Sequence, residues 1–394
     1  MRTIARRSFV AGAAGLGAFA GLPHRARAAV AKPKSPLTLT IVDVAGNLAL
    51  TQTAFENYRK ANPDLVGRMV FTKAPAPEVP GKLRAQQAAN RVDLDMVLTG
   101  TDALAAGIAQ DIWEKLYPVH QDVLPNMEAV LLPAALGMQG LAQGYGVLNS
   151  FCPAGPILEY MPDRVPTPPT TADELLAWTR AHKDRFMYAR PANSGPGRAF
   201  LMGVPYILGD SNPKDPAKGW DKTWAYLKAL DENIEYYPTG TGAVMKELGD
   251  GSRDMVPTMT GWDINPRALG IVPKEAKVGF IKGFHFVNDG QFMCVPKGVG
   301  PERLAVLLDL MSYMLTKPAQ ALTYDAGYFY PGPCVRDVPL SMAPQDSQDI
   351  IKEYGRPIYD KVIADTPNEL PLDAEALVYA FRRWDEQIGS KKTK

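Results

Sequence analysis

Cysteine and histidine are scarce in this chain, with three and four residues among 394. Cys152, Cys294 and Cys334 allow at most one internal bridge, which excludes a disulfide-stapled scaffold. The histidines are His24, His120, His182 and His285, too few and too scattered for the nucleophile, base and orienting group of a hydrolase. Gly-x-Ser-x-Gly, His-Glu-x-x-His and P-loop motifs are absent, as is any internal repeat with a period of about 20–50 residues. Long hydrophobic runs are also missing beyond the N-terminus. The apolar, Gly/Ala-rich stretch 10–22 falls short of the roughly 20 residues that span a bilayer.

That stretch has a different use. It follows Arg6-Arg7-Ser8-Phe9-Val10 and precedes Ala26-Arg27-Ala28, so residues 1–28 read as a cleavable twin-arginine export signal with Arg6 and Arg7 as its mark. Cleavage removes Arg2, Arg6, Arg7, Arg25 and Arg27 and no acid, so the net charge moves from +1 to −4. A protein of that charge is no nucleic-acid binder. The basic end Lys391-Lys392-Thr393-Lys394 reads as a solvated terminus.

The remaining 366 residues exceed what one core usually serves and point to two domains. Strand and helix patterns alternate. A strand over 37–44 leads through Ala45-Gly46-Asn47 to a helix over 51–61, and Val70-Phe71 leads to a helix over 81–90. A strand over 94–98 then runs through Thr99-Gly100-Thr101-Asp102 into a helix over 103–109. Such βαβ units predict an α/β fold with a mostly parallel sheet. Two amphipathic stripes, Leu304/Leu307/Leu308/Met311/Leu315 and Leu377/Phe381/Trp384/Ile388, read as core faces of late helices.

The stretch 160–200 carries the most local information. Prolines in Val165-Pro166-Thr167-Pro168-Pro169-Thr170-Thr171 enforce an extended approach, and Thr171 with Glu174 makes a capping box for a helix over 172–182. Residues 185–189 read as a short buried strand. Asn193-Ser194-Gly195-Pro196-Gly197 then turns into a helix whose first N–H groups face outward. This Pro-Pro-Thr-Thr linker, helix, strand and Ser-Gly turn resembles the extracellular solute-binding proteins of ABC importers, in layout most like the spermidine/putrescine and thiamine type.

The resemblance implies a periplasmic-binding-protein-like (type II) fold, with two α/β lobes joined by a two-strand hinge. Residues 140–147 are similar to the family's outgoing crossover and residues 288–297 to its return, which places lobe I at 36–147 plus 290–394 and lobe II at 148–289. If the crossing strands pair antiparallel, Cys152 and Cys294 lie too far apart for a bridge, leaving Cys294 with Cys334 or free buried thiols. The family implies a monomeric periplasmic protein that captures a small-molecule solute between its lobes. It would hand that solute to an ABC permease and its ATPase after export by the Tat machinery, without enzymatic activity, cofactor or metal.

Ligands of open α/β sheets meet loops at the carboxyl ends of strands. That rule selects Asn47, Thr101 and Asp102 from the first lobe. From the second it selects Asn193, Ser194, Gly195, Thr241, Trp262 and Asp263, with Tyr328 from Tyr328-Phe329-Tyr330 as an aromatic wall. Asn47 can equally form a plain turn, and Thr101 or Asp102 can simply cap the next helix. Aromatics beside Asp263 suit an organic cation, such as a polyamine or thiamine, or a zwitterion. Helix N-termini with Arg190 and Arg198 suit a carboxylate or phosphorylated solute, although Arg198 lies past the helix start and can point to solvent. Iron-binding relatives carry a tyrosine pair where this chain has Thr260-Gly261-Trp262, and Tyr236-Tyr237 lies too early to replace it. A periplasmic hydrolase using His285 and a receptor that presents its ligand to a sensor are the other readings.

Overall fold

A computed structural model of the chain describes residues 31–392. The export-signal reading over 1–28 lies outside the described residues. The strands are β1 (Leu37–Asp43), β2 (Val66–Lys73), β3 (Met96–Thr99), β4 (Val147–Gly155), β5 (Ile157–Tyr160), β6 (Met255–Thr258), β7 (Lys277–Gly279), β8 (Phe286–Cys294) and β9 (Asn368–Glu369). The first sheet has the order β2-β1-β3-β8-β4, with β9 on the end of β8; the second has the order β6-β5-β7.

The βαβ reading holds for β1, β2 and β3, which pair in parallel. It fails for the rest of the molecule. β8 runs antiparallel to both β3 and β4, and the second sheet is antiparallel throughout. The stretch 185–189 is not a strand. Phe186 makes one bridge to Met255, while Phe186 and Tyr188 turn their rings into the core against Phe200. Apolarity there serves side-chain packing and not a ladder, a distinction that a short apolar run does not encode.

Helices start where their capping residues stand. The Thr171 hydroxyl accepts the Glu174 N–H at 3.1 Å and opens the Ala172–Ala181 helix. The Glu174 carboxylate reaches one residue further back than a standard box, to the Thr170 N–H at 2.8 Å. Ser194 caps Gly195–Leu208 by accepting the Gly197 N–H. The helices Leu48–Ala61 and Thr101–Ala109 begin before the starts expected from sequence, 51 and 103.

Two large apolar cores flank the junction. One gathers β1, β3 and the Pro301–Met314 helix through Leu39, Ile41, Val97, Leu307, Leu308 and Met311. The other gathers Tyr188, Phe200, Leu227, Met245 and Val256 around the second sheet. β8 belongs to both sides. Phe292 and Met293 sit in the first core, whereas Val287 sits in the second. The terminal helix Ala374–Gln387, placed with the first lobe from sequence, packs on the Thr101–Ala109 helix of that lobe and buries Leu377, Ala380 and Trp384 in the cluster that holds both Ala105 and Tyr188. The chain reaches it through Ile351, in the first core, and Tyr359, which packs against Ile157, Ile264 and Phe286. Three segments thus run between the two cores: β4, β8 and the stretch 351–372. All three cysteines are buried and free, so Cys294 and Cys334 form no bridge. Among the described residues, no helix is long and apolar enough to cross a membrane.

Candidate functional site

A cavity of about 230 Å³ opens between the sheets. Its walls come from the loop after β1 (Val44, Ala45, Gly46), the loop after β3 (Gly100, Asp102) and the cap of the Gly195–Leu208 helix (Asn193, Ser194, Gly195, Arg198). Thr241, Met259, Trp262, the β8 residues Asp289 and Gln291, and Tyr328 with Phe329 complete them. Of the residues selected from sequence, Asp102, Asn193, Ser194, Gly195, Thr241, Trp262 and Tyr328 line it. Asn47, Thr101 and Asp263 do not.

Each exclusion has a physical cause. Asn47 is fully buried and exchanges side-chain hydrogen bonds with Asn149 at 3.0 and 3.2 Å while accepting from the Thr51 hydroxyl at 2.7 Å. It ties the first helix to β4. Thr101 is buried beside the cavity as the first residue of its helix. Asp263 turns away into a sealed set of charges: its Oδ2 accepts from Arg356 Nε at 2.9 Å and lies 3.7 Å from Arg267. Glu159 lies in the same set, and burial together with the Asp263 charge pushes its carboxyl well up. Asp263 is thus already neutralised and cannot balance a solute in the cavity.

The carboxylates that face the cavity are Asp102 and Asp289. Between them lies Arg198, only 5 % exposed, donating from one Nη to Asp102 at 2.9 Å and from the other to Asp289 at 2.8 Å. The expectation that Arg198 points to solvent is therefore corrected. Arg198 sits one turn into its helix, and the inward side of that turn meets β8. Burial opposes its charge, but the two carboxylates outweigh burial and hold the guanidinium firmly protonated. Burial raises the Asp289 carboxyl above its ordinary value against the pull of Arg198. Two acids and one base leave the lining with one net negative charge.

First-lobe backbone donors are taken up internally. Asp43 accepts the N–H groups of Ala45, Asn47 and Leu48 at 2.9–3.0 Å, which fills the start of the Leu48–Ala61 helix with a carboxylate. Asp102 Oδ1 accepts the Ala103 N–H at 2.8 Å. On the other side, the Ser194 and Thr241 hydroxyls pair at 2.7 Å. Arg190, the other cation considered for an anionic solute, is bound to Asp385 and the Gly389 carbonyl away from the cavity.

The aromatic wall is held by glycines. Trp262 and Tyr328 pack as a tilted pair with centroids 5.2 Å apart at 55°. Gly46 has φ +76°, and a Cβ there would lie 2.1 Å from the Tyr328 hydroxyl. Gly261, at φ +101°, lets the loop carrying Trp262 touch the backbone of Gly327, Tyr328 and Tyr330. Phe329 turns down into a small core with Leu50, Cys152, Ala154, Ala199 and Met259. Burial and the nearby Asp289 push the Cys152 thiol well up, so it is neutral.

Asp289 and Gln291 escaped the sequence reading, which took 288–297 only as a crossover. The available signal was the polar group Asn288, Asp289 and Gln291 inside an apolar strand, in which the spacing of two puts Asp289 and Gln291 on one face. Tyr236-Tyr237 lies in or beside the second core, with Tyr237 against Tyr188 and Trp384. His285 stacks on Tyr206 and pairs with Glu369 at 3.0 Å, and it does not line the cavity.

A family model for bacterial extracellular solute-binding proteins matches residues 53–351. The chain belongs to that family. Among solved structures, it is similar to the spermidine/putrescine substrate-binding protein PotD of Streptococcus pneumoniae at 12 % identity, covering 88 % of this chain and 99 % of that one with a TM-score of 0.59. A periplasmic thiamin binding protein shares 14 % identity over 92 % of this chain and 99 % of its own, with a TM-score of 0.63. The Atu4243-GABA receptor shares 16 % over 91 % and 99 %, with a TM-score of 0.64. At these identities the likeness establishes the type of fold, the two-lobed α/β architecture expected from sequence. A search of curated proteins gives no match.

Proposed function

We propose that this member of the solute-binding family is the exported, monomeric capture component of an ABC importer, taking a small organic cation or zwitterion between its lobes. The observation that carries the cationic preference is the single unbalanced negative charge of an aromatic-walled cavity whose first-lobe helix N-termini are already filled by carboxylates. An ammonium is favoured by the faces of Trp262 and Tyr328 and by the acids. An anion would meet Asp102 and Asp289 first. The names of the similar structures, spermidine/putrescine, thiamin and GABA, point to nitrogenous solutes and support the same choice.

In this reading the residues that hold the solute are Asp102, Asn193, Ser194, Gly195, Thr241, Trp262 and Tyr328, joined by Asp289, Gln291 and Arg198. They come from both sides of the β4–β8 pair, so a bound solute stabilises the closed arrangement, and only that arrangement presents a continuous surface to the permease. The twin-arginine segment delivers the folded chain to the periplasm.

The test is isothermal calorimetry of the mature protein against polyamines, thiamine, amino acids, organic acids and phosphorylated compounds. Saturable binding of organic cations without turnover is expected. Binding confined to organic acids or phosphorylated compounds would transfer the site to the Ser194/Gly195 helix start and overturn the cationic choice.

A further inference from the structure

Arg198 is a charge carried by the protein itself inside the cavity, and its place changes what the cavity can accept. Both of its partners are otherwise occupied: Asp102 Oδ1 takes the Ala103 N–H and Asp289 Oδ1 takes the Gly290 N–H at 2.9 Å. Neither carboxylate can swing away without breaking a backbone contact as well as the ion pair. Next along β8, Gln291 is 4 % exposed; its Nε2 donates to the Ala45 carbonyl at 3.3 Å while its Oε1 has no hydrogen-bond partner. A buried amide oxygen left in this state at a cavity wall awaits a donor. The lining thus supplies one uncompensated negative charge and one unpaired acceptor.

We propose that Arg198 is a specificity-determining residue that sets the accepted charge at one, so that the preferred solute carries a single ammonium that donates to Gln291 Oε1, and polyamines are discriminated against. This rests on the cationic reading above. In a closed site with little water, a monocation neutralises the lining, a dication leaves an excess positive charge, and a zwitterion leaves the negative charge unbalanced. Arg198 acts as a built-in first cation, already seated between two acids.

A four-carbon series isolates charge from chain length: n-butylamine, 1,4-diaminobutane, 4-aminobutanoate and butanoate, compared by thermal shift at millimolar concentration and by calorimetry on the full mature protein. In the wild type, n-butylamine should bind at least about tenfold tighter than 1,4-diaminobutane and 4-aminobutanoate. Arg198→Gln and Gln291→Glu each add one negative charge by a different route, and each should invert the order of the two amines. Gln291→Glu keeps the Arg198 ion pairs and serves if the first variant fails to fold. Tighter binding of 1,4-diaminobutane or 4-aminobutanoate by the wild type, or an unchanged order in a folded variant, overturns the proposal while leaving a cation-binding protein. Binding by none of the four, nor by any organic cation of the wider panel, removes the cationic reading and this inference together.

Discussion

Among the knots of arginine and carboxylate in the described residues, the one around Asp263 and the one at the cavity differ in what surrounds them. The sealed knot joins Glu159 and Asp263 to Arg267 and Arg356, with both carboxyl groups fully buried and that of Glu159 pushed well up by burial and by the Asp263 charge. The cavity knot joins Asp102 and Asp289 to Arg198, two acids against one base. The sealed set holds protein to protein, whereas the cavity set borders space that a solute can enter. An acid beside an aromatic, as in Trp262-Asp263, does not by itself mark a binding place; whether the acid borders the cavity does.

Asp263→Ala should give the largest change. It leaves Arg356 and Arg267 without their common partner, and breaking a buried ion pair costs about 3–5 kcal/mol. Urea denaturation should show this loss, with cation affinity in the folded protein little altered. A large loss of affinity at full stability would instead return Asp263 to the site. Asp289→Asn acts at the cavity. It neutralises the cavity, and calorimetry should record a cation affinity weaker by about 2–3 kcal/mol. Trp262→Ala removes one ring face, for which about 0.5–2 kcal/mol of affinity is expected and no comparable loss of stability, since the side chain is half-buried. Unchanged binding would take Trp262 out of the wall.

The smallest effect sharpens the comparison by pH. Because burial raises the Asp289 carboxyl, it takes up a proton at a higher pH than an ordinary aspartate, and the cavity then loses its net charge. Cation affinity should fall a few-fold between neutral pH and about pH 5, because proton and solute compete for one state. A raised carboxyl stabilises the folded chain below its unfolded value, and that contribution fades as pH rises through the folded one. Weaker binding in mild acid is therefore not unfolding through Asp289. A pH-independent affinity would contradict the assignment.

Local signals in the sequence were read correctly where the interaction is local. Thr171 and Ser194 cap helices a few residues away, and the loops after β1 and β3 reach the cavity because strand ends do so in this class of fold. What sequence order did not show was the direction of charged side chains. Asp263 is claimed by Arg356, 93 residues onward, and Arg198 by Asp102 and Asp289, 96 residues before and 91 after. The terminal helix has the amphipathic stripe it was credited with, but a stripe states that a face is buried and not against which core.

The third passage of the chain bears on movement. Between Ile351 in the first core and Arg356 pinned to Asp263 lie only four residues. At about 3.3–3.6 Å each they cannot span more than a short gap. A pair of strands alone would allow the halves to swing like covers on a spine, whereas a third strap, fastened off that spine, shortens the arc and fixes its plane. If the two sides close on a solute as proposed, this strap keeps the angle small, and Arg356→Ala should widen it.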